Sequence, residues 1–206
     1  MAKNCFSFVV FLLTIYGFLT IVESRSRARV YLESQCRPAM YPDLCVRTLL
    51  PYVDKTGVIS PQRIAQISLA TCLSKARVTK NYVDMVAKKL NETGSFGDYQ
   101  ALEECSRQIE NGVSQITQSF KELQQIAKDG DENFVWHESN VLSWVSAALT
   151  DVTTCIDGIV GDGISRRDRA MMKARFLNVK QLASNSLLMF TRFTTRYRAA
   201  RGIKNP

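Results

Sequence analysis

Apolar residues recur every three to four positions through four long segments of this chain, and no segment of comparable length alternates with a period of two. The first opens at Ser60-Pro61, a hydroxyl N-cap followed by proline at the first helical position. It runs to about residue 90 with Ile64, Ile67, Thr71, Val78 and Met85 on one stripe, and Asn91-Glu92-Thr93-Gly94 ends it. In the second, residues 98–128, the spacings alternate three and four through Leu102, Cys105, Ile109, Gly112, Ile116, Phe120, Leu123 and Ala127, the seam of an antiparallel bundle. Asp129-Gly130 stops it. The third, residues 134–160, turns Val141, Val145, Ala148, Val152, Cys155 and Ile159 inward and closes at Gly161-Asp162-Gly163. Ser165 caps the fourth, whose inward residues are Met172, Phe176, Val179, Ala183, Ser186, Phe190 and Phe193.

Helices of this length are roughly 40–45 Å long, and connections of a few residues force neighbours to run antiparallel. Ahead of them, residues 30–52 carry Pro38, Pro42 and Pro51, which break that stretch into short helical pieces. The pattern predicts an all-α fold: an N-terminal helical hairpin, about residues 30–52, plus an up-down-up-down four-helix bundle, about residues 60–193. Residues 194–206 show no apolar period and are expected to form a basic disordered tail, of which residues 196–206 are expected to be dispensable for folding.

The N-terminus changes the picture of where this fold matures. Lys3 precedes an uncharged apolar run over residues 6–22, the pattern of a signal peptide, with cleavage expected after Ser24 and Ala28 as a second candidate. A retained membrane anchor is the alternative, since Arg25, Arg27 and Arg29 follow the run directly. Removing residues 1–24 takes away Lys3 and Glu23 together, so the net charge stays at +8. That charge is lopsided: residues 165–206 hold eleven Lys or Arg against Asp168, while residues 25–164 are close to neutral. In a secreted protein such an end suits an anionic polysaccharide, a membrane surface or an acidic protein more than nucleic acid.

Without Cys5, which leaves with the signal, five cysteines remain, an odd count. Cys36 and Cys45 flank a proline-broken turn and are close enough to clip the hairpin. Cys105 lies near the start of its helix and Cys155 near the end of the next, antiparallel one, so both sit at one end of the bundle. Cys72 is about 16 Å further along by helical rise, out of disulfide reach, and reads as a free, small buried hydrophobe rather than a reactive thiol.

Catalytic chemistry finds few parts here. The lone histidine, His137, sits at a helix start between Trp136 and Glu138 and reads as a surface or capping residue. No CxxC, HExxH, GxSxG or Gly-rich phosphate loop occurs, so neither a metal nor a cofactor is expected. Asn91-Glu92-Thr93 is a glycosylation sequon at an inter-helix turn. Trp136 and Trp144 are candidate interface anchors, although Trp144 lies toward the inward side. The outer face of the second helix, with Gln108, Asn111, Gln115, Gln118 and Gln125, reads as a solvated face.

The hairpin Cys36-x8-Cys45, the central Cys105, the stretch from Val145 through Ala148-Leu149-Thr150-Asp151 into Thr154-Cys155-Ile156-Asp157-Gly158, and the late Ser184-Asn185-Ser186-Leu187 resemble the plant invertase and pectin methylesterase inhibitor family. The resemblance spans about residues 35–193. It implies a hairpin plus four-helix bundle, disulfides Cys36–Cys45 and Cys105–Cys155, and inhibition of an enzyme rather than catalysis. The family often carries its unpaired cysteine in the last helix, whereas here the extra cysteine is Cys72.

Two target classes follow. Invertase inhibitors of the family carry a Pro-Lys-Phe segment before the third bundle helix; here the turn over residues 129–134 has Phe134 but three acids in place of the proline and lysine. The expected partner is therefore pectin methylesterase, with acid invertase as the alternative. For such inhibitors the resemblance implies a stoichiometric complex across the pectin cleft, with Thr154 at the interface and Asp151 and Asp157 as further candidates. A third reading is a non-inhibitory, pectin-associated basic protein, held to demethylated pectin by its C-terminal region. In every case the expected location is extracellular, in the cell wall, with no nucleic acid as partner and no membrane once the signal is removed.

Overall fold

The computed structural model describes residues 27–56, 60–93, 96–126, 133–159 and 163–203. The leader expected at residues 1–24 and most of the acidic turn before Phe134 lie outside the described residues, as does Ala127. All regular structure among them is helical: α1 (residues 27–36), α2 (Pro42–Thr56), α3 (Pro61–Thr93), α4 (Phe96–Ile126), α5 (Phe134–Gly158) and α6 (Arg166–Arg201). The last four form a ring in which α3 packs on α4, α4 on α5, α5 on α6 and α6 back on α3. Consequently α3 stands diagonal to α5.

Local chemistry sets the helix starts. Ser60 Oγ accepts the Arg63 amide at 3.1 Å, and Ser165 Oγ accepts that of Asp168 at 3.1 Å, each satisfying a donor of the first turn. The hairpin of α1 and α2 is closed by Cys36–Cys45 and strapped to α6, where Asn185 Nδ2 donates to the Tyr41 carbonyl at 3.0 Å and Arg192 Nε to Gln35 Oε1 at 3.1 Å. Pro51 does not break it: it lies within α2, removing one backbone donor without ending the helix. Cys105 and Cys155 join α4 to α5, and Cys72 is free and buried.

Every inward residue expected for α5 and α6 is buried. In α3 the expected stripe holds at its start, where Ile64 and Ile67 are buried, and is lost further along. Val78 and Met85 are about half exposed, while Ala65, Leu69, Cys72, Ala76, Thr79, Val83, Val86 and Leu90 line the core at spacings of three and four. The buried face mixes Leu69, Val83, Val86 and Leu90 with the small Ala65, Cys72, Ala76 and Thr79, which let α4 and α6 approach closely. In α4 the seam also drifts, burying Ser119 and Ile126 where Phe120 is only half-buried. A straight helix falls behind a seven-residue repeat by about 20° per heptad, and the late positions show it.

The C-terminus corrects the expectation of a disordered tail beginning at residue 194. Helix α6 continues to Arg201 and ends on Gly202, whose left-handed φ of 67° turns its amide onto the Arg198 carbonyl. Thr194 and Arg198 are buried, and Tyr197 stacks on Phe134 with ring centroids 4.7 Å apart. Arg198 donates from Nε to Glu138 Oε2 at 2.9 Å and lies over the Phe134 ring. No apolar period marks this turn because its buried contacts come from an arginine and a tyrosine.

Candidate docking surface

The titratable groups of the interior act as braces. His137 is buried, not at the surface: its Nδ1 lies 2.9 Å from Glu122 Oε1, which also accepts from Asn140 Nδ2 at 2.8 Å, so the trio ties α4 to α5. On the other side of the ring, Asp84 takes hydrogen bonds from Lys80 and Ser106. Burial acts to raise the Asp84 carboxyl, but these bonds and the ammonium charge outweigh it and hold it below the ordinary carboxylate range. The Cys72 thiol is pushed up to about 12 by desolvation, so near neutral pH it is a protonated thiol without nucleophilic character. Among the described residues no three His, Cys, Asp or Glu gather to hold a metal ion.

What the bundle leaves open is the outer face of α5. Trp136, Ser139, Ser143, Thr150, Thr154 and Asp157 are all exposed, and Trp136 is the most open large aromatic of the bundle helices at 67 %. Trp136 and Thr154 are eighteen residues apart, five full turns, so they point the same way from a stripe roughly 27 Å long. Hydroxyl protons on this stripe turn back into the helix: Thr154 Oγ1 donates to the Thr150 carbonyl at 3.1 Å and Thr150 Oγ1 to that of Ser146 at 3.2 Å. The lone pairs left outward make the face rich in acceptors.

Its charge agrees. Helix α5 carries no Lys or Arg, whereas α6 carries ten. Asp157 is exposed, and Asp151 at the flank of the stripe is partly buried with Oδ2 lacking a hydrogen-bond partner among the described residues. Desolvation by burial raises the Asp151 carboxyl above its ordinary value. Thr154, Asp151 and Asp157 therefore fall on or beside one surface, with Trp136 at its far end. Trp144 is half-buried.

Phe134 does not belong to that surface. It is fully buried between Tyr197 and Arg198 and cannot be offered to another protein's active site. Asn91 is exposed in the last turn of α3.

The stapled bundle thus presents an exposed, acceptor-rich face on α5. Among known proteins, the sequence pattern of the family described as plant invertase/pectin methylesterase inhibitor matches residues 30–189, and the chain belongs to that family. It is 34% identical over 208 residues to pectinesterase inhibitor 9 of Arabidopsis thaliana, covering 99% of this chain and 98% of the relative. It is 28% identical to a 21 kDa protein of Daucus carota, over 85% of this chain and 89% of that one. The fold is similar to the crystal structure of a pectin methylesterase inhibitor from Arabidopsis thaliana, with a TM-score of 0.53 at 16% identity, covering 80% of this chain and 96% of the other. No helix among the described residues is long and apolar enough to cross a membrane.

Proposed function

We propose that this protein is a secreted inhibitor of pectin methylesterase, without catalysis of its own, which lays the α5 face across the enzyme's pectin cleft in a stoichiometric complex. The observation that carries this reading is the shared face of Trp136 and Thr154 on a helix whose outer side has no partner in the bundle. A stripe of roughly 27 Å matches the span of a standard interface of about 800 Å² per partner. Aromatic anchors dominate such interfaces, and a rim of hydroxyls and carboxylates suits a cleft that offers N–H donors and cations. Inhibition is occlusion: the bound bundle fills the groove that substrate needs. The names and near full-length coverage of the relatives support the esterase as target, and buried Phe134 weighs against invertase.

Two further features fit an extracellular site of action. Asn91 at the end of α3 is accessible to a glycan, and the exposed basic residues of α6, among them Arg166, Arg167, Lys173, Arg196 and Arg201, favour loose attraction to demethylated pectin. That attraction is screened over about 8 Å at physiological ionic strength and supports retention in the wall, the reading in which the protein associates with pectin directly.

The test is on the face itself. Trp136→Ala is expected to weaken esterase inhibition about thirtyfold, the loss of roughly 2 kcal/mol typical of an aromatic hot spot. Thr154→Lys, which sets a bulky charge into the same interface, is expected to weaken it at least as far. Both residues are exposed, so circular dichroism and melting temperature are to stay unchanged. Inhibition constants equal to the parent's in both variants would move the docking face off α5.

A further inference from the structure

A second surface lies on the far side of the ring. A groove of about 370 Å³ runs along α3 between the C-terminal turns of α2 and the outer edge of α4. Its walls are aromatic: Tyr52, 47% exposed, on one side and the half-buried Phe120 on the other. Ala70 and Ser74, both small and exposed, keep its floor low. Arg63 and Lys75 both line it, twelve residues apart and so roughly 18 Å along the axis, with Lys75 about a third of a turn round toward α6. Neither Arg63 nor Lys75 enters an ion pair among the described residues.

That combination selects a ligand class. Elsewhere on α3, Lys80 pairs with Asp84 and Glu110 and Lys89 with Asp168, while Arg77 and Lys88 lie exposed outside the groove. Two uncompensated cations separated along a trough call for a linear ligand with repeated negative charge, and an arginine favours a planar carboxylate. Apolar ring faces between them suit sugar rings, which present flat C–H surfaces flanked by hydroxyls, and Ser74 and, about 12 Å along the helix, the amide of Gln66 can bond those hydroxyls.

We propose that this groove binds a short stretch of a linear polyuronate, its carboxylates at Arg63 and Lys75 and its rings against Tyr52 and Phe120. This goes beyond the diffuse attraction of α6, because it is a discrete site with a defined length and a requirement for free carboxylates. Since α3 stands diagonal to α5, the groove stays open when the α5 face is docked. One molecule can therefore hold an enzyme on one side and the de-esterified polymer on the other.

The experiment is a titration of the isotope-labelled secreted protein with a short, fully de-esterified oligogalacturonate, followed by amide NMR, beside the same oligomer fully methyl-esterified. The expected result is movement of the Ala70 and Ser74 resonances, and affinity at least tenfold weaker for the esterified oligomer. An Arg63→Ser, Lys75→Ser double variant, altering exposed side chains only, is expected to lose at least tenfold in affinity while inhibiting the esterase as the parent does. No binding, shifts confined to α6, equal binding of the esterified oligomer, or unchanged affinity in the double variant would each overturn the site. None of these outcomes bears on esterase inhibition, which is read separately.

Discussion

Replacing Cys105 and Cys155 together by alanine is expected to cost about 4 kcal/mol of unfolding free energy, against about 2.5 kcal/mol for the Cys36 and Cys45 pair. The difference follows from loop length. The first bridge closes fifty residues and the second nine, and the entropy removed from the unfolded chain grows with the logarithm of that number. The bundle bridge also sits where α4 and α5 meet, with Cys105 and Cys155 both buried, so its loss leaves the surrounding core intact apart from two small side chains. Because Cys72 is buried and protonated, it does not exchange into either bridge near neutral pH. Urea denaturation of the two double variants checks the ranking. A smaller loss for the bundle pair than for the hairpin pair would contradict it.

Arg198→Ala is the second large effect, expected to destabilise the fold by about 3 kcal/mol. The guanidinium and the Glu138 carboxylate are each about nine-tenths covered, with side-chain exposures of 10% and 12%. Removing the arginine strands the carboxylate beside Phe134 and also strips a cation from that ring. Losing one partner of a covered pair costs far more than losing both, so an Arg198→Met, Glu138→Leu double variant is expected to recover most of the stability. Truncation after Phe193, which removes Tyr197 as well, is to lower the melting temperature further. A change below about 0.5 kcal/mol for Arg198→Ala, the range of ordinary surface substitutions, would mean that the last turns of α6 do not hold the bundle end.

These two effects mark what could be read from residues alone. Cys105 and Cys155 were legible because both lie on seams of large apolar neighbours whose axial positions follow from helix length. The inward residues of α6 from Met172 to Phe193 were legible for the same reason, each being apolar or small at regular spacing. The α3 seam was not, since Ala76 and Thr79 carry little hydrophobic signal and gain their burial from the closeness of neighbouring helices. Likewise Arg198, Tyr197 and His137 bury themselves through partners distant in sequence, Glu138, Phe134 and Glu122, which no local period encodes. At the docking face, Thr154 and its two aspartates came from the family pattern. The alignment of Trp136 with Thr154 needed only the helical period once α5 was in place, while the groove at Arg63 and Lys75 depends on α2 and α4 arriving beside α3.

The central claim is inhibition by docking, and one measurement meets it directly: residual activity of a plant pectin methylesterase and of an acid invertase, each titrated with the purified protein. The account predicts esterase activity falling in proportion to added protein and vanishing near one equivalent, with invertase largely active throughout. Loss of invertase activity with the esterase untouched, or no effect on either enzyme, would contradict it.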